Sequence, residues 1–90
     1  MPKPLELPKG MSVLVEVDLR YVRSQLTPFR IHFRREQYKI TRVIRRHKKT
    51  IHEREHMLFR VKIENHRDAY DLIQDRKTSM WSLRKAVTAR

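Results

Sequence analysis

From Val13 onward, apolar side chains return at every second position. In "SVLVEVDLRYVR", Val13, Val15, Val17, Leu19 and Tyr21 share one parity, and Glu16, Asp18 and Arg20 take the other. Such alternation belongs to a strand with one buried and one wet face. "TPFRIHFR" repeats it, with Phe29, Ile31 and Phe33 inward and Arg30, His32 and Arg34 outward. Pro28 suits a strand start, where its missing N–H costs little. A polar turn, "REQ", leads into "YKITRVIRR", where Tyr38 and Ile40 set the inward parity and the adjacent pair Val43 and Ile44 breaks it, as a β-bulge or a barrel corner does. "MLFRVKIE" sets Met57, Phe59, Val61 and Ile63 inward and Arg60 and Lys62 outward. After the turn "NHRD", "AYDLIQD" alternates through Tyr70 and Leu72; "RKTS" is the next turn, and "MWSLRKAV" closes the pattern with Trp81 and Leu83.

Six strands joined by short polar turns predict an all-β fold, a small antiparallel barrel or strongly curled sheet. Residues 1–10 hold three of the four prolines and the only glycine, which makes them an irregular leader to a single small β domain over 11–90. One segment has a competing reading. "VIRRHKKTIHEREHML" is rich in helix formers, and Ile44, His47, Ile51 and Leu58 fall near one helical face. A short helix within 45–56 is thus the alternative to a long hairpin connection, and "LRKAVTAR" offers another at the C-terminus.

Ninety residues, 39% hydrophobic, support one modest core, which excludes a scaffold with a separate substrate domain. The absence of cysteine excludes disulfides, thiolate zinc sites and a cysteine nucleophile, and fits a reducing compartment. No apolar run approaches the roughly 18 residues of a spanning helix, and "MPKPLELPKG" lacks the apolar stretch of a secretory signal. The expectation is a soluble, cytoplasmic protein without a membrane partner.

Charge changes the picture most. The net charge is +12, and residues 28–54 carry ten Lys/Arg against two Asp/Glu, so two thirds of the excess sits in the middle third. Such a field draws polyanions, nucleic acid first. The expected binding surface is Arg30, His32 and Arg34 on one strand, Arg60 and Lys62 on a later one, and Arg42, Arg45, Arg46, Lys48 and Lys49 extending the grid between them. A plainer account is a solvated surface on a basic protein. The aromatic rings temper the idea: Tyr21, Phe29, Phe33, Tyr38, Phe59, Tyr70 and Trp81 all take the inward parity, and only Tyr38 and Trp81, near strand ends, are placed to emerge. That favours holding the backbone over stacking bases.

His52-Glu53-Arg54-Glu55-His56 fits H-E-x-x-H, the spacing by which zinc proteases hold their metal on a helix. Four features oppose that chemistry. On a strand, residues four apart lie about 13–14 Å from each other, too far for one ion. The alternation of Met57–Ile63 follows directly. His66 does not complete an extended zinc signature. Arg45, Arg46, Lys48, Lys49 and Arg54 repel a divalent cation. The match is read as chance, with no metal, no cofactor and no enzymatic activity expected. G-x-S-x-G, Walker and dinucleotide motifs are missing, and one glycine cannot build a phosphate cradle. Asp68, Asp71 and Asp75 are read as turn and strand-edge solubility residues.

From Pro28 onward, "PFRIHFRREQYKITRVIRRHKK", "LFRVKIENHRDAYDLIQD" and "KTSMWSLRKAV" resemble a family of small uncharacterised bacterial domains. Their shared features are a Pro-x-x-Phe strand, a "Y-x-V-x-x-V" strand, then "Y-x-V", "Y-x-L" and "W-x-L" strands. The matching positions are Pro28, Tyr38, Ile40, Val43, Phe59, Val61, Tyr70, Leu72, Trp81 and Leu83, while "RREQ" and "ENHRD" lack the usual turn glycines. That family in turn looks like the C-terminal segment of catalytically inactive Y-family polymerase-like proteins of bacterial mutagenic repair. The resemblance implies an all-β domain and an accessory role in DNA transactions, with no activity to carry over. The leading expectation is a nonenzymatic, sequence-tolerant nucleic-acid-binding module. The alternative is a protein-interaction domain acting through exposed strand edges, as a homodimer or docked on a larger assembly.

Overall fold

The computed structural model describes residues 4–8 and 10–86. Each alternating stretch forms a strand: β1 (Val13–Val22), β2 (Gln25–Phe33), β3 (Glu36–Ile51), β4 (Arg54–Ile63), β5 (Ala69–Asp75) and β6 (Trp81–Lys85). Consecutive strands pair antiparallel and β6 returns to β1, giving a closed six-stranded barrel. Ile31, Val61, Leu72 and Leu83 are fully buried at its centre, with Tyr38, Phe59, Tyr70 and Trp81 packed around them.

There is no helix among the described residues. Segment 45–56 is instead the end of β3, a two-residue turn and the start of β4. The strand wins because Phe59, Val61 and Ile63 must face the core, and the β3–β4 pairing propagates outward from them, from Ile40↔Ile63 to Ile51↔Arg54. At the C-terminus, Leu83–Lys85 belong to β6. The rest of that helix expectation, residues 87–90, lies outside the described residues.

Three turns hold two residues each, both with positive φ: Arg23 and Ser24 (52° and 66°), Arg34 and Arg35 (51° and 66°), His52 and Glu53 (49° and 63°). Those angles mark type I′ turns, whose twist matches that of the flanking strands. Their usual occupants are Asn-Gly, because a side chain crowds the backbone there. Replacing His52-Glu53 by Asn-Gly should therefore relieve about 1 kcal/mol at the β3–β4 tip. The measurement is amide hydrogen exchange at Ile51 and Arg54, the hydrogen-bonded pair that closes the turn, expected to slow roughly fivefold; unchanged or faster exchange would mean that the turn carries no strain.

The barrel closes unevenly. β2 meets β3 only over Arg30–Phe33, and β1 meets β6 only over Val13–Val15. Gln25–Phe29 therefore pair with β1 alone, and residues 41–51 with β4 alone. Two hairpins, tipped by Arg23-Ser24 and His52-Glu53, extend beyond the same barrel end with an open seam between β2 and β3. Pro28 lies within β2 and not at its start, on this singly paired stretch, where a strand proline is tolerated. The opposite end is plugged by the leader. Leu5 is 6% exposed, and its N–H donates to His66 Nε2 at 2.9 Å. The His66 ring meets Tyr38 and Tyr70 edge to face. Leu5 of the irregular leader is thus part of the core, and Leu7 packs against it.

Candidate nucleic-acid interface

Two register shifts decide which way the basic side chains of β3 point. The pairing steps from Ile40↔Ile63 to Arg42↔Lys62 and from Val43↔Val61 to Arg45↔Arg60, leaving Thr41 and Ile44 as extra residues. The adjacent Val43 and Ile44 predict the second shift. Because β4 alternates regularly, each β3 partner inherits its face: Val61 and Phe59 inward, Lys62, Arg60, Leu58 and His56 outward. The outer row of β3 is therefore Arg42, Arg45, His47 and Lys49, all exposed. Arg42 stands opposite Lys62, and Arg45 opposite Arg60. Like charges in directly opposed positions destabilise a sheet.

Arg46 goes the other way. Opposite Phe59, it turns toward the barrel interior, its guanidinium carbon 5.1 Å from the Phe59 ring centre. Nη1 donates to Gln25 Oε1 at 2.7 Å, and Nη2 to Leu26 O and Thr27 Oγ1 at 3.1 Å each. It staples the open seam and is withdrawn from the outer grid. Lys48, opposite Met57, shares Arg46's parity but lies farther out along the projecting hairpin and is exposed.

Other members of the expected grid are also engaged. Asp71 is only 2% exposed and accepts from Arg60 Nε at 2.9 Å and Nη2 at 3.4 Å, with Arg84 Nε 3.6 Å away. It is thus an ion-pair centre and not a solubility residue. Its hydrogen bond, then its charge, raise the Arg60 pKa further, outweighing the opposing effect of burial. Lys62 Nζ donates to Arg67 O. Asp18 of β1 binds two β2 side chains, His32 Nε2 at 2.7 Å and Arg30 Nη1 at 3.6 Å. β2 and β4 are separated by β3, so Arg30 and His32 do not adjoin Arg60 and Lys62; Arg30 faces Lys39 instead. Arg34 sits at a turn with its guanidinium over Phe33. Among the described residues, Arg34, Arg42, Arg45, Lys48 and Lys49 have no acidic partner.

Five of the seven aromatic rings lie in or against the core as expected, and Tyr21 and Phe29 depart from it. Tyr38 and Trp81 are buried, whereas Tyr21 is 74% exposed, one pleat past the barrel rim on the β1–β2 hairpin. Phe29 points outward. Leu19 pairs with Pro28 and Asp18 with Arg30, so Phe29 is the extra residue of a bulge, between the guanidinium groups of Arg20 and Arg30 at 5.2 and 5.1 Å. Adjacent apolar residues, Pro28 and Phe29, are the sequence sign of that shift, as Val43 and Ile44 are on β3.

The H-E-x-x-H stretch spans a hairpin tip. His52 and Glu53 are its turn, and His56 lies on β4 with Nδ1 2.9 Å from Arg54 O. The helical arrangement through which the motif gathers both imidazoles is not the one formed.

Asp75 ties this hairpin to the β5–β6 turn. It accepts from Lys77 N–H at 2.9 Å, Thr78 N–H at 3.3 Å and Arg54 Nη2 at 2.7 Å, with His56 Nε2 at 3.8 Å. Burial is the largest single influence and pushes the carboxyl up, but the two N–H groups, Arg54 and His56 together hold it below the ordinary carboxylate value. A folded-state pKa below the unfolded one gives stability that is present above about pH 4 and lost as pH falls through the folded value. Urea midpoints between pH 7 and 3 should therefore fall more steeply for the native chain than for Asp75→Asn; parallel profiles would refute the linkage.

No protein-family model, curated protein or solved structure matches the chain.

Proposed function

We propose that this protein is a nonenzymatic nucleic-acid-binding module that holds the phosphate backbone with little sequence preference through the outer face of the β3–β4 hairpin. The observation that carries this reading is the opposition of Arg42 to Lys62 and of Arg45 to Arg60. Such pairs cost stability in the free barrel and are relieved when phosphates lie along the row. His47 and Lys49 continue the row toward the hairpin tip. The row meets regularly spaced charge and lacks base-reading geometry, which supports sequence tolerance. The resemblance noted in the sequence makes DNA the first polymer to try, in an accessory role in DNA transactions.

The test is anisotropy of a labelled oligonucleotide between 50 and 300 mM KCl. Four or five phosphate contacts predict that log K falls linearly with log salt, with a slope of about −3 to −4. A flat titration at low ionic strength sinks the reading. Binding to polyglutamate but to no oligonucleotide would reassign the surface to an acidic protein.

The open edges along Gln25–Phe29 and residues 41–51 favour a second reading, strand pairing with a protein partner. Two copies meeting along β3 would oppose Arg and Lys rows, so an acidic strand suits this edge better than a homodimer.

A further inference from the structure

The open barrel end holds a cavity of about 230 Å³, lined by Leu26, Arg46, Met57, Phe59, Trp81 and the rim residues Gln25, Gln74 and Arg76, with Leu19 below. Three features set it apart from an ordinary barrel end. It lies between the two projecting hairpins, at the seam that β2 and β3 leave open. Its wall includes a guanidinium plane fixed in place: Arg46 is held by three hydrogen bonds and by Phe59, whose ring lies 5.6 Å from that of Trp81. Finally, beside the polar rim the β1–β2 hairpin carries two exposed apolar side chains, one of them the lining residue Leu26. Tyr21 and Leu26 are directly paired across the hairpin, 74% and 48% exposed, on the parity of Leu19.

Exposed apolar side chains beside the mouth, a fixed guanidinium plane and amide side chains on the rim suit a flat solute with hydrogen-bonding edges. A nucleobase is such a solute. Bases stack on aromatic rings and on arginine planes, and amide side chains pair with their edges. Positive charge at Arg46 and Arg76, continued by Lys48 and Lys49 on the neighbouring hairpin, suits the phosphates on either side.

We infer that the barrel mouth seats an unpaired base of the strand held on the β3–β4 face, which makes single-stranded nucleic acid the preferred ligand. Tyr21 and the Arg46 plane flank the base, and Gln25 and Gln74 meet its edge. The inference rests on the nucleic-acid reading, and its test separates the two.

Trp81, the only tryptophan, lines the cavity and reports on it directly. Three ligands of equal length are titrated with the full chain: single-stranded DNA, the corresponding duplex, and a single strand of abasic sites. Anisotropy reads binding and Trp81 fluorescence reads the mouth. The expected result is quenching by single-stranded DNA alone, with affinity at least tenfold above that for the abasic strand. Tyr21→Ala, an exposed substitution that leaves the core intact, should bring single-stranded and duplex affinities together. Gln74→Ala should weaken single-strand binding and leave duplex binding unchanged. Binding of all three ligands with equal affinity and no change in Trp81 fluorescence overturns the base site and leaves backbone binding standing. Failure of every ligand to bind overturns both.

Discussion

Changing Arg42, Arg45 and Lys49 together to glutamate is expected to lower oligonucleotide affinity by about 100-fold or more at 0.1 M salt, while the barrel becomes no less stable. The loss follows from the chemistry of the row. Each exposed cation near a polyanion contributes about 1 kcal/mol, and each glutamate in its place adds repulsion at short range. The salt slope should shrink by about 2 to 3 as three phosphate contacts disappear. Stability moves the other way. Arg42→Glu faces Lys62 and Arg45→Glu faces Arg60, so two repulsive cross-strand pairs become attractive ones, together worth up to about 1 kcal/mol. Collapsed binding with an unchanged or higher urea midpoint is the signature of charges maintained for a ligand. Arg30→Gln is the matched control, because its side chain is already paired with Asp18 and should weaken binding only slightly. If the triple variant binds as tightly as the native chain, the row is a solvated surface and nothing more.

The fold was legible because period two runs through the whole chain and the core residues carry it. Val13 to Leu19, Ile31, Phe59 to Ile63, Tyr70 to Leu72 and Trp81 to Leu83 all take their expected side. The turns were harder to place. Where Asn-Gly would have announced a type I′ hairpin, the chain has Arg-Ser, Arg-Arg and His-Glu, so the second turn falls at Arg34-Arg35 and not at "REQ". At His52-Glu53 the same lack of turn residues left helix formers unbroken, and a zinc-protease pattern and a helix both appeared where a hairpin tip stands.

The candidate site was legible as composition but not as geometry. Alternation predicts a face only while the register is unbroken, and the shifts move Phe29 and Arg42 to the other side. The bulge in β2 carries Phe29 out of the core and between two arginines. The first in β3 turns Arg42 outward and Val43 inward; the second restores the parity of Tyr38 and Ile40, on which Arg46 faces inward and Arg45 aligns with Arg60. Tyr21 keeps its expected parity, but the strand outruns the barrel, so the inward face is there a wall without an opposite side. Acidic partners were a second blind spot: Asp18 and Asp71 reach their cations only through strand pairing, and alternation cannot say which strands adjoin.

Arg46→Ala should therefore behave unlike its neighbours and cost about 2 to 3 kcal/mol of folding stability. Gln25–Phe29 and residues 41–51 each lack a strand on the seam side, and Arg46 supplies the described side-chain links across it, to Gln25, Leu26 and Thr27. Charge-assisted hydrogen bonds contribute about 1.5–3 kcal/mol each when sheltered, and less here because the guanidinium is only half-buried. The aliphatic stem and the stack on Phe59 add packing that alanine removes. Lysine should restore less than half of the loss, since an ammonium cannot serve three acceptors in one plane as the guanidinium fork does. A double-mutant cycle with Gln25→Ala isolates the seam itself: the expected coupling is about 1 kcal/mol, because the two side chains meet at 2.7 Å. Urea unfolding of the four proteins measures it. Additive losses, or a cost below about 0.5 kcal/mol for Arg46→Ala, would mean that the seam stands without its staple. In that case the mouth would lose its fixed plane, so the same four proteins also test the frame on which base recognition depends.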